Sequence, residues 1–216
     1  SHRLRYGARV NTDNVEAASR QQRKERTRQS ILNTALELSA HEPMAALSLR
    51  TIAKEVGIVP TAFYRHFSSI EELGLALSEL AIAALRELMV EIRLQPQSAT
   101  DPIDVVIAAI LQAGEGNAPL FAFLIRERSC GPPRIRDQIR HELELVTREL
   151  TTDLARLSAT RNWSTDDLSE LADLLLTLVL RTFERSSSGQ TPETLGPLLK
   201  RQSQMLLVGA QNWGSA

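Results

Sequence analysis

The stretch "SLRTIAKEVGIVPTAFYRHF", residues 48–67, decides the fold. Ser48 is suited to cap a short helix over residues 49–56, and Gly57 is suited to end it in a left-handed conformation. Pro60 can open the next helix, where its missing N–H costs nothing. Two helices joined by a short glycine-containing turn form the helix-turn-helix plan, whose second helix enters the major groove of DNA.

The side chains of this stretch divide into an inward and an outward set. Helical spacing places apolar residues inward, namely Ile52, Ala53, Val56, Ile58, Phe63 and Phe67. The outward set contains the types that read DNA, namely Thr61, Ala62, Tyr64, Arg65 and His66. Arginine pairs with guanine edges, small side chains meet the thymine methyl group, and tyrosine and histidine bond phosphate oxygens. A helical hairpin with mostly buried aromatic residues is the alternative.

Helix signals continue along the whole chain, and they predict an all-α fold of about nine helices. A first helix is expected from Arg20 to Ala40, and a capping box of Ser69 with Glu72 should open a long helix ending near Arg93. Further starts are marked near residues 101, 117, 132, 164 and 191. No segment alternates with the period of a strand.

Three parts of the chain follow from this pattern. Residues 1–19 are expected to form a flexible basic arm that reaches DNA, because they carry arginines and no helical periodicity. Residues 20–68 are expected to form the helix-turn-helix DNA-binding domain, and residues 69–216 a second helical domain. An inert tail is the alternative for the arm.

Charge and composition fit a nucleic-acid-binding protein better than a membrane protein. Residues 1–68 hold 11 Lys and Arg against 6 Asp and Glu, whereas residues 69–216 hold 14 against 20. The basic N-terminal part therefore suits double-stranded DNA as a partner. No apolar run approaches the roughly 20 residues of a membrane span. With the single Cys130, a cytoplasmic location and no membrane insertion are expected.

An all-helical metal-dependent enzyme is a distant alternative. Asp137, His141 and Glu144 are spaced to share one helix face and bind a metal, although a solvated charged face explains the same pattern. Cys130 has no evident histidine partner in the sequence. The sequence therefore predicts no catalytic residue, no metal and no cofactor.

The segment Leu47 to Leu73, "LSLRTIAKEVGIVPTAFYRHFSSIEEL", resembles the DNA-binding signature of TetR-type transcriptional repressors. The resemblance implies three N-terminal helices for DNA and about six further helices, in residues 69–216, that form a ligand-binding and dimerisation domain. Together with Arg65, the DNA contacts that follow from it are Arg50, Pro60, Thr61, Ala62, Tyr64 and His66. Ile70 stands near the place where many members carry a phosphate-binding lysine.

A second segment, "FAFLIRERSCG" at residues 121–131, extends the resemblance beyond the DNA-binding domain. Together with the first segment it is similar to bacterial TetR-type repressors of unsaturated fatty-acid synthesis. This similarity implies control of fatty-acid metabolism in response to a fatty acyl thioester, such as a long-chain acyl-CoA. A repressor of an efflux or catabolic operon, induced by another hydrophobic molecule, is the alternative.

The apolar helices of the second domain supply candidate ligand contacts. These residues are apolar and lie on helices expected to be buried on several sides: Leu85, Leu88, Ile107, Ile110, Leu111, Phe121, Phe123 and Leu124. The same side chains are equally suited to fill a core. Arg126 and Arg128 either complement a helix dipole or pair with an anionic head group.

The last two helices carry more apolar surface than one small domain needs, which indicates a homodimer. Two helices from each subunit would form a four-helix bundle. The candidate contacts are Leu171, Leu175, Leu178, Phe183, Leu199, Leu206 and Trp213. Such a dimer should bind palindromic operator DNA, with half-sites about 34–36 Å apart.

Overall fold

The chain folds into nine α-helices in the part that the computed structural model describes, residues 4–95, 102–157, 159–160 and 162–213. No strand occurs in those ranges. The helices are α1 Leu4–Ser39, α2 Leu49–Val56, α3 Pro60–Phe63, α4 Ile70–Arg93, α5 Pro102–Gly116, α6 Ala118–Cys130, α7 Pro133–Ala155, α8 Thr165–Ser187 and α9 Pro192–Gln211. A 3-10 turn at Met44–Ala46 follows α1. The predicted fold class is therefore confirmed.

The first helix differs from the prediction. It begins at Leu4 instead of Arg20, so the expected arm over residues 1–19 is largely helical, while residues 1–3 lie outside the described part. No proline interrupts residues 4–39, and the Ala, Gln, Glu, Lys and Arg side chains of residues 16–28 favour helix without an apolar stripe. Periodicity was the wrong signal here, because residues 17–28 form helix with mostly exposed side chains and without an apolar stripe.

The helices pack around one extended apolar core. Residues from α1 to α4, such as Ile31, Phe63 and Leu73, join residues of the second domain in a continuous cluster. A smaller cluster around Leu168 and Ala172 lies near the start of α8. The DNA-binding helices therefore rest on the same core as the helices that follow them.

Close helix contact fixes α4 against α7. A Cβ atom at Gly74 would lie 2.4 Å from Cδ1 of Ile135 and 3.3 Å from Cε of Met44. A side chain at this position would require Ile135 and Met44 to shift, so the glycine allows this close packing. Two ion pairs of Arg86 on α4, with Glu142 at 3.0 Å and Glu149 at 3.1 Å, hold the same two helices.

Among the described residues no single helix is long and apolar enough to cross a membrane. The helices α5 and α6 reach the required length and composition only as a pair bent by 87°.

Candidate DNA-binding surface and ligand cavity

Local signals build the helix-turn-helix as predicted. The Ser48 hydroxyl accepts a hydrogen bond from the Thr51 N–H at 3.1 Å, which caps α2. Gly57 takes a left-handed conformation with φ 77°, and the Ile58 N–H then donates to the Ala53 carbonyl at 2.9 Å. This turn ends α2 and aims the chain into α3.

The recognition element is a short helix that continues as tight turns. Pro60 stands in the first turn of α3, and N–H groups up to Phe67 keep donating to carbonyls three or four residues back. Phe63 and Phe67 are buried with ring centroids 6.0 Å apart, while Tyr64 remains 60% exposed. The buried rings thus hold the outward residues in place.

The predicted DNA contacts lie together on this element and the neighbouring helix. Arg50, on α2, is exposed. Of the others, Pro60, Thr61, Tyr64 and Arg65 are exposed, and Ala62 and His66 are half-buried. The division into inward and outward residues agrees with the sequence pattern, and contact with DNA remains a prediction.

Arg28 on α1 supports the recognition element, and sequence reasoning missed it. Its Nη1 donates to the His66 carbonyl at 3.1 Å, and its guanidinium lies 4.2 Å above the Phe67 ring. The charged segment around it signalled basicity but not this contact, which joins residues 38 positions apart.

His66 is electrostatically unusual. Burial lowers the pKa of its imidazole, and the nearby positive charges of Lys24, Arg28 and Arg65 lower it further, while Glu25 raises it. Nδ1 is buried and has no hydrogen-bond partner among the described residues. The ring is therefore biased towards its neutral form until a negative charge, such as a DNA phosphate, approaches.

A variant of the predicted capping box connects the recognition element to α4. The Ser69 hydroxyl accepts from the Glu72 N–H at 3.0 Å, as predicted. The Glu72 carboxylate accepts from both the N–H and the hydroxyl of Ser68, not from Ser69, and these bonds lower its pKa. Ser69 therefore makes the first hydrogen bond of the capping box, and Ser68 makes the reciprocal bonds to Glu72.

A cavity of about 570 Å³ lies among the helices of the second domain. Its walls are mainly aliphatic: Leu85, Leu88, Met89 and Ile92 from α4, Pro102, Val105, Val106 and Ile110 from α5, Val146, Leu150 and Leu154 from α7 with Leu157 after it, Leu175, Leu176, Leu178 and Val179 from α8, and Leu199 from α9. Both the volume and the lining are typical of sites for small hydrophobic ligands.

Charged side chains line the cavity where α4 and α7 end. Arg93 donates to the Asp153 carboxylate at 2.7 and 3.0 Å, and Arg156 lies 3.6 Å from the same carboxylate. Two arginines face one aspartate, so this end of the cavity carries a net positive charge. Gln95 adds an amide at the same end, and Ser203 on α9 also lines the cavity.

The structure separates the predicted ligand contacts into two groups. Leu85, Leu88 and Ile110 line the cavity. The side chains outside it are Ile107, Leu111, Phe121, Phe123, Leu124, Arg126 and Arg128. Phe121 stacks on Phe183 at 4.0 Å with the rings nearly parallel, which places it in the core.

A second depression, of about 640 Å³, is lined by Glu79, Arg86 and Glu142 among others. Its arginine is already engaged by two glutamates. The aliphatic cavity is therefore the better candidate for a hydrophobic ligand, although it has the smaller volume.

The metal-site alternative finds no support in side-chain geometry. Asp137 is paired with Arg140 at 2.6 Å, and no group of three His, Cys, Asp or Glu residues could hold a metal within the described ranges.

The predicted dimer contacts are distributed between core and surface. Leu171, Phe183 and Leu199 are buried inside the subunit; Leu175, Leu178 and Leu206 are half-buried. Trp213 is 60% exposed, and its indole N–H donates to Asp167 at 3.0 Å.

Three further apolar side chains on α8 and α9 are exposed: Leu174 (49%), Met205 (61%) and Val208 (58%). Sequence reasoning did not single them out, because the stripe on each helix is too wide to show which side faces outward.

The geometry defines an all-α protein with an exposed helix-turn-helix, the arrangement of DNA-binding regulators. Residues 31–77 match the model of the family described as "Bacterial regulatory proteins, tetR family". The match covers the helix-turn-helix, so this part of the chain is similar to the DNA-binding domain of that family. The similar solved structures include proteins described as transcriptional regulators.

Solved structures share the fold over most of the chain. A transcriptional regulator (TerR/AcrR family) from Aquifex aeolicus VF5 matches with a TM-score of 0.68 and 16% identity, covering 83% of this chain and 99% of its own. A TetR transcriptional regulator from Legionella pneumophila matches with a TM-score of 0.61 and 22% identity, covering 82% and 95%. A Clostridium perfringens protein described as a candidate fatty acid metabolism regulator matches with a TM-score of 0.65 and 14% identity, covering 79% and 94%.

Proposed function

We propose that the protein is a repressor that binds palindromic operator DNA as a homodimer and responds to a fatty acyl thioester. The observation that carries this proposal is the aliphatic cavity with a positively charged end. An acyl chain would lie along the aliphatic walls, and Arg93 and Arg156 would face the anionic part of a long-chain acyl-CoA.

The head-group assignment differs from the sequence-based hypothesis. Arg126 and Arg128 lie outside the cavity, and Arg126 is bound to backbone carbonyls after α1. Arg156 is the better candidate, because its side chain is 72% exposed beside the cavity and its contact to Asp153 is long. An exposed arginine can turn towards a phosphate at little cost.

Fatty-acid control is further supported by the resemblance of residues 121–131 and by the C. perfringens protein with the same fold. The dimer is supported by the exposed apolar residues Leu174, Met205 and Val208 on α8 and α9. In a two-fold dimer these helices would form the four-helix bundle that the sequence predicts.

The test is a titration of the protein on operator DNA selected by the protein from a random pool. Saturated and unsaturated acyl-CoA esters are compared with neutral hydrophobic compounds. We expect acyl-CoA to change operator affinity about 5- to 150-fold, the range of ordinary allosteric coupling, whether binding is released or tightened. The Arg156→Gln variant should weaken the response to acyl-CoA and leave affinity for DNA unchanged.

The outcomes distinguish the proposal of an acyl-CoA effector from the more general proposal of a DNA-binding repressor. A response to neutral compounds, with none to any acyl chain, would identify another hydrophobic inducer, as expected for an efflux or catabolic operon. Repressor function would stand in that case, because DNA binding does not depend on the effector.

A further inference from the structure

Two adjacent side chains on α6 hold the DNA-binding domain against the rest of the subunit. Arg126 and Glu127 both reach the segment after α1, in which residues 40–44 lead towards the helix-turn-helix. The contacts join residues 83 to 86 positions apart, so they cross between the two predicted domains.

Arg126 binds the C-terminal end of α1. Its Nη2 donates to the Ala40 carbonyl at 3.2 Å and its Nη1 to the Glu42 carbonyl at 3.4 Å. Carbonyls at a helix end lack partners within the helix and carry partial negative charge, which a guanidinium complements. The arginine thus fixes where α1 ends on the surface of α6.

Glu127 is the less expected member of the pair, because it is a carboxylic acid with no exposed surface. Its Oε1 accepts a hydrogen bond from the Met44 N–H at 3.2 Å. Its Oε2 is buried without a hydrogen-bond donor among the described residues. Burying an ionised carboxylate with only one hydrogen bond costs free energy. The stability of the contact between Glu127 and Met44 therefore depends on the charge of Glu127.

Gly131 makes room for this carboxyl group. A Cβ atom there would lie 2.7 Å from Oε2 and 2.5 Å from the backbone oxygen of Glu127. The φ of Gly131 is −66°, so the backbone does not require glycine. The glycine therefore leaves room for both the backbone carbonyl and the carboxyl group of Glu127, which pack closely against it.

We propose that Glu127 is a positioning residue that docks the DNA-binding domain on α6 when it is protonated and loosens that contact when it is ionised. The two DNA-binding domains of a dimeric regulator must be held at a defined spacing to enter successive major grooves. When this contact is loosened, the DNA-binding domain can take more positions relative to α6. Operator affinity then falls, because binding to DNA must restrict the domain to one of these positions.

The electrostatics give the direction of the effect. Burial raises the pKa of the Glu127 carboxyl above the ordinary value of 4.5, and this outweighs the Met44 N–H bond and the charge of Arg126, which both lower it. A solvated, undocked Glu127 returns towards its ordinary pKa. The docked state therefore binds more protons, and docking weakens as pH rises from 4.5 through the docked-state pKa.

Other charged groups lie on the elements around the contact between Glu127 and Met44. They are Arg128 on α6, His41 and Glu42 after α1, Glu71 on α4, and Arg134 at the start of α7. Arg134 pairs with Glu71 at 2.9 Å. Among these elements Arg126 supplies the charge that acts on the pKa of Glu127. The test therefore leaves all of these groups unchanged in every variant.

The test measures hydrogen exchange of the Met44 amide in the full chain at a series of pH values, corrected for intrinsic exchange. Glu127→Gln keeps an acceptor of the same size and removes the titration. Glu127→Ala removes the acceptor. Glu115→Gln, at an exposed position of α5, is the matched control, and all variants retain His41.

We expect the protection of Met44 in the wild type and in Glu115→Gln to fall as pH rises, while Glu127→Gln stays protected throughout. Glu127→Ala should lose protection by about 2- to 13-fold at low pH, the change that one net hydrogen bond produces. Operator affinity of the wild type should fall over the same pH range, and that of Glu127→Gln should show a weaker slope.

Equal pH profiles for the wild type and Glu127→Gln would overturn the proposal, as would full protection in Glu127→Ala. The first comparison decides the matter even if Glu127→Ala does not fold, since glutamine preserves size and packing. Neither result depends on the effector, so failure here is distinguishable from failure of the acyl-CoA proposal.

Discussion

Replacing Met205 and Val208 together by serine should convert the proposed dimer into monomers. Both side chains are on α9, and they are 61% and 58% exposed in the subunit. A two-fold interface formed by α8 and α9 would cover them, together with Leu174. Serine removes most of the apolar surface of these two side chains. The residues buried in the core of the subunit are unchanged.

The magnitude follows from the exposed fractions. Full burial of a methionine or valine side chain stabilises by about 1.5–3 kcal/mol, so covering about 60% of it contributes roughly 1–2 kcal/mol. Two side chains in each of two subunits give about 4–7 kcal/mol for the dimer. The dissociation constant should therefore rise about 10³- to 10⁵-fold.

The assay is sedimentation of the free protein over a concentration series, with Leu94→Ser as the control. Leu94 follows α4 and is 78% exposed, so the control removes a comparable apolar side chain elsewhere. The control should remain a dimer. A Met205→Ser/Val208→Ser protein that dimerises like the wild type would refute the proposed interface, and a monomeric wild type would refute the dimer.

Three further predictions concern the DNA-binding surface, the core and the cavity. Arg65→Ala should relax base preference, whereas His66→Ala should weaken binding evenly across sequences, as competition binding to a panel of operator variants would show. Phe183→Ala should lower the free energy of unfolding by about 3–5 kcal/mol in denaturant titrations, because the ring is buried and stacked on Phe121. Leu88→Trp should fill the cavity and reduce the effector response in the operator titration, with operator affinity in the absence of effector unchanged.

Helix boundaries were predictable wherever a local signal decides the backbone. Ser48, Gly57, Pro60 and Ser69 each act through a cap or a fixed φ within a few residues, and the structure shows all four in these roles. The start of α1 at Leu4 was not predictable in this way, because the sequence there has neither a clear capping signal nor an apolar stripe.

The cavity was less accessible to sequence reasoning, because lining and filling side chains have the same chemistry. Leu88 and Leu124 look alike in the sequence, yet one lines the cavity and the other is fully buried in the core. Only the packing of five helices decides which apolar atoms meet empty space. The contact of Arg28 with His66 was hidden for the same reason, since nothing local connects residues so far apart.

The helix α4 is the physical connection between the cavity and the DNA-binding surface. It starts at the capping box beside the recognition element, and Leu85 and Leu88 near its other end line the cavity. These points are about 18 residues apart, or roughly 27 Å along a helix. A ligand that separates α4 from its neighbours would therefore move the recognition element. Equal affinity for both positions of α4 would shift nothing, so the effector must bind one of them more tightly.

The contacts of Arg126 and Glu127 restrain the same movement from α6, because they hold the segment that precedes the helix-turn-helix. Effector binding at the cavity and protonation at Glu127 should accordingly act on one shared equilibrium, and each should change the apparent affinity of the other.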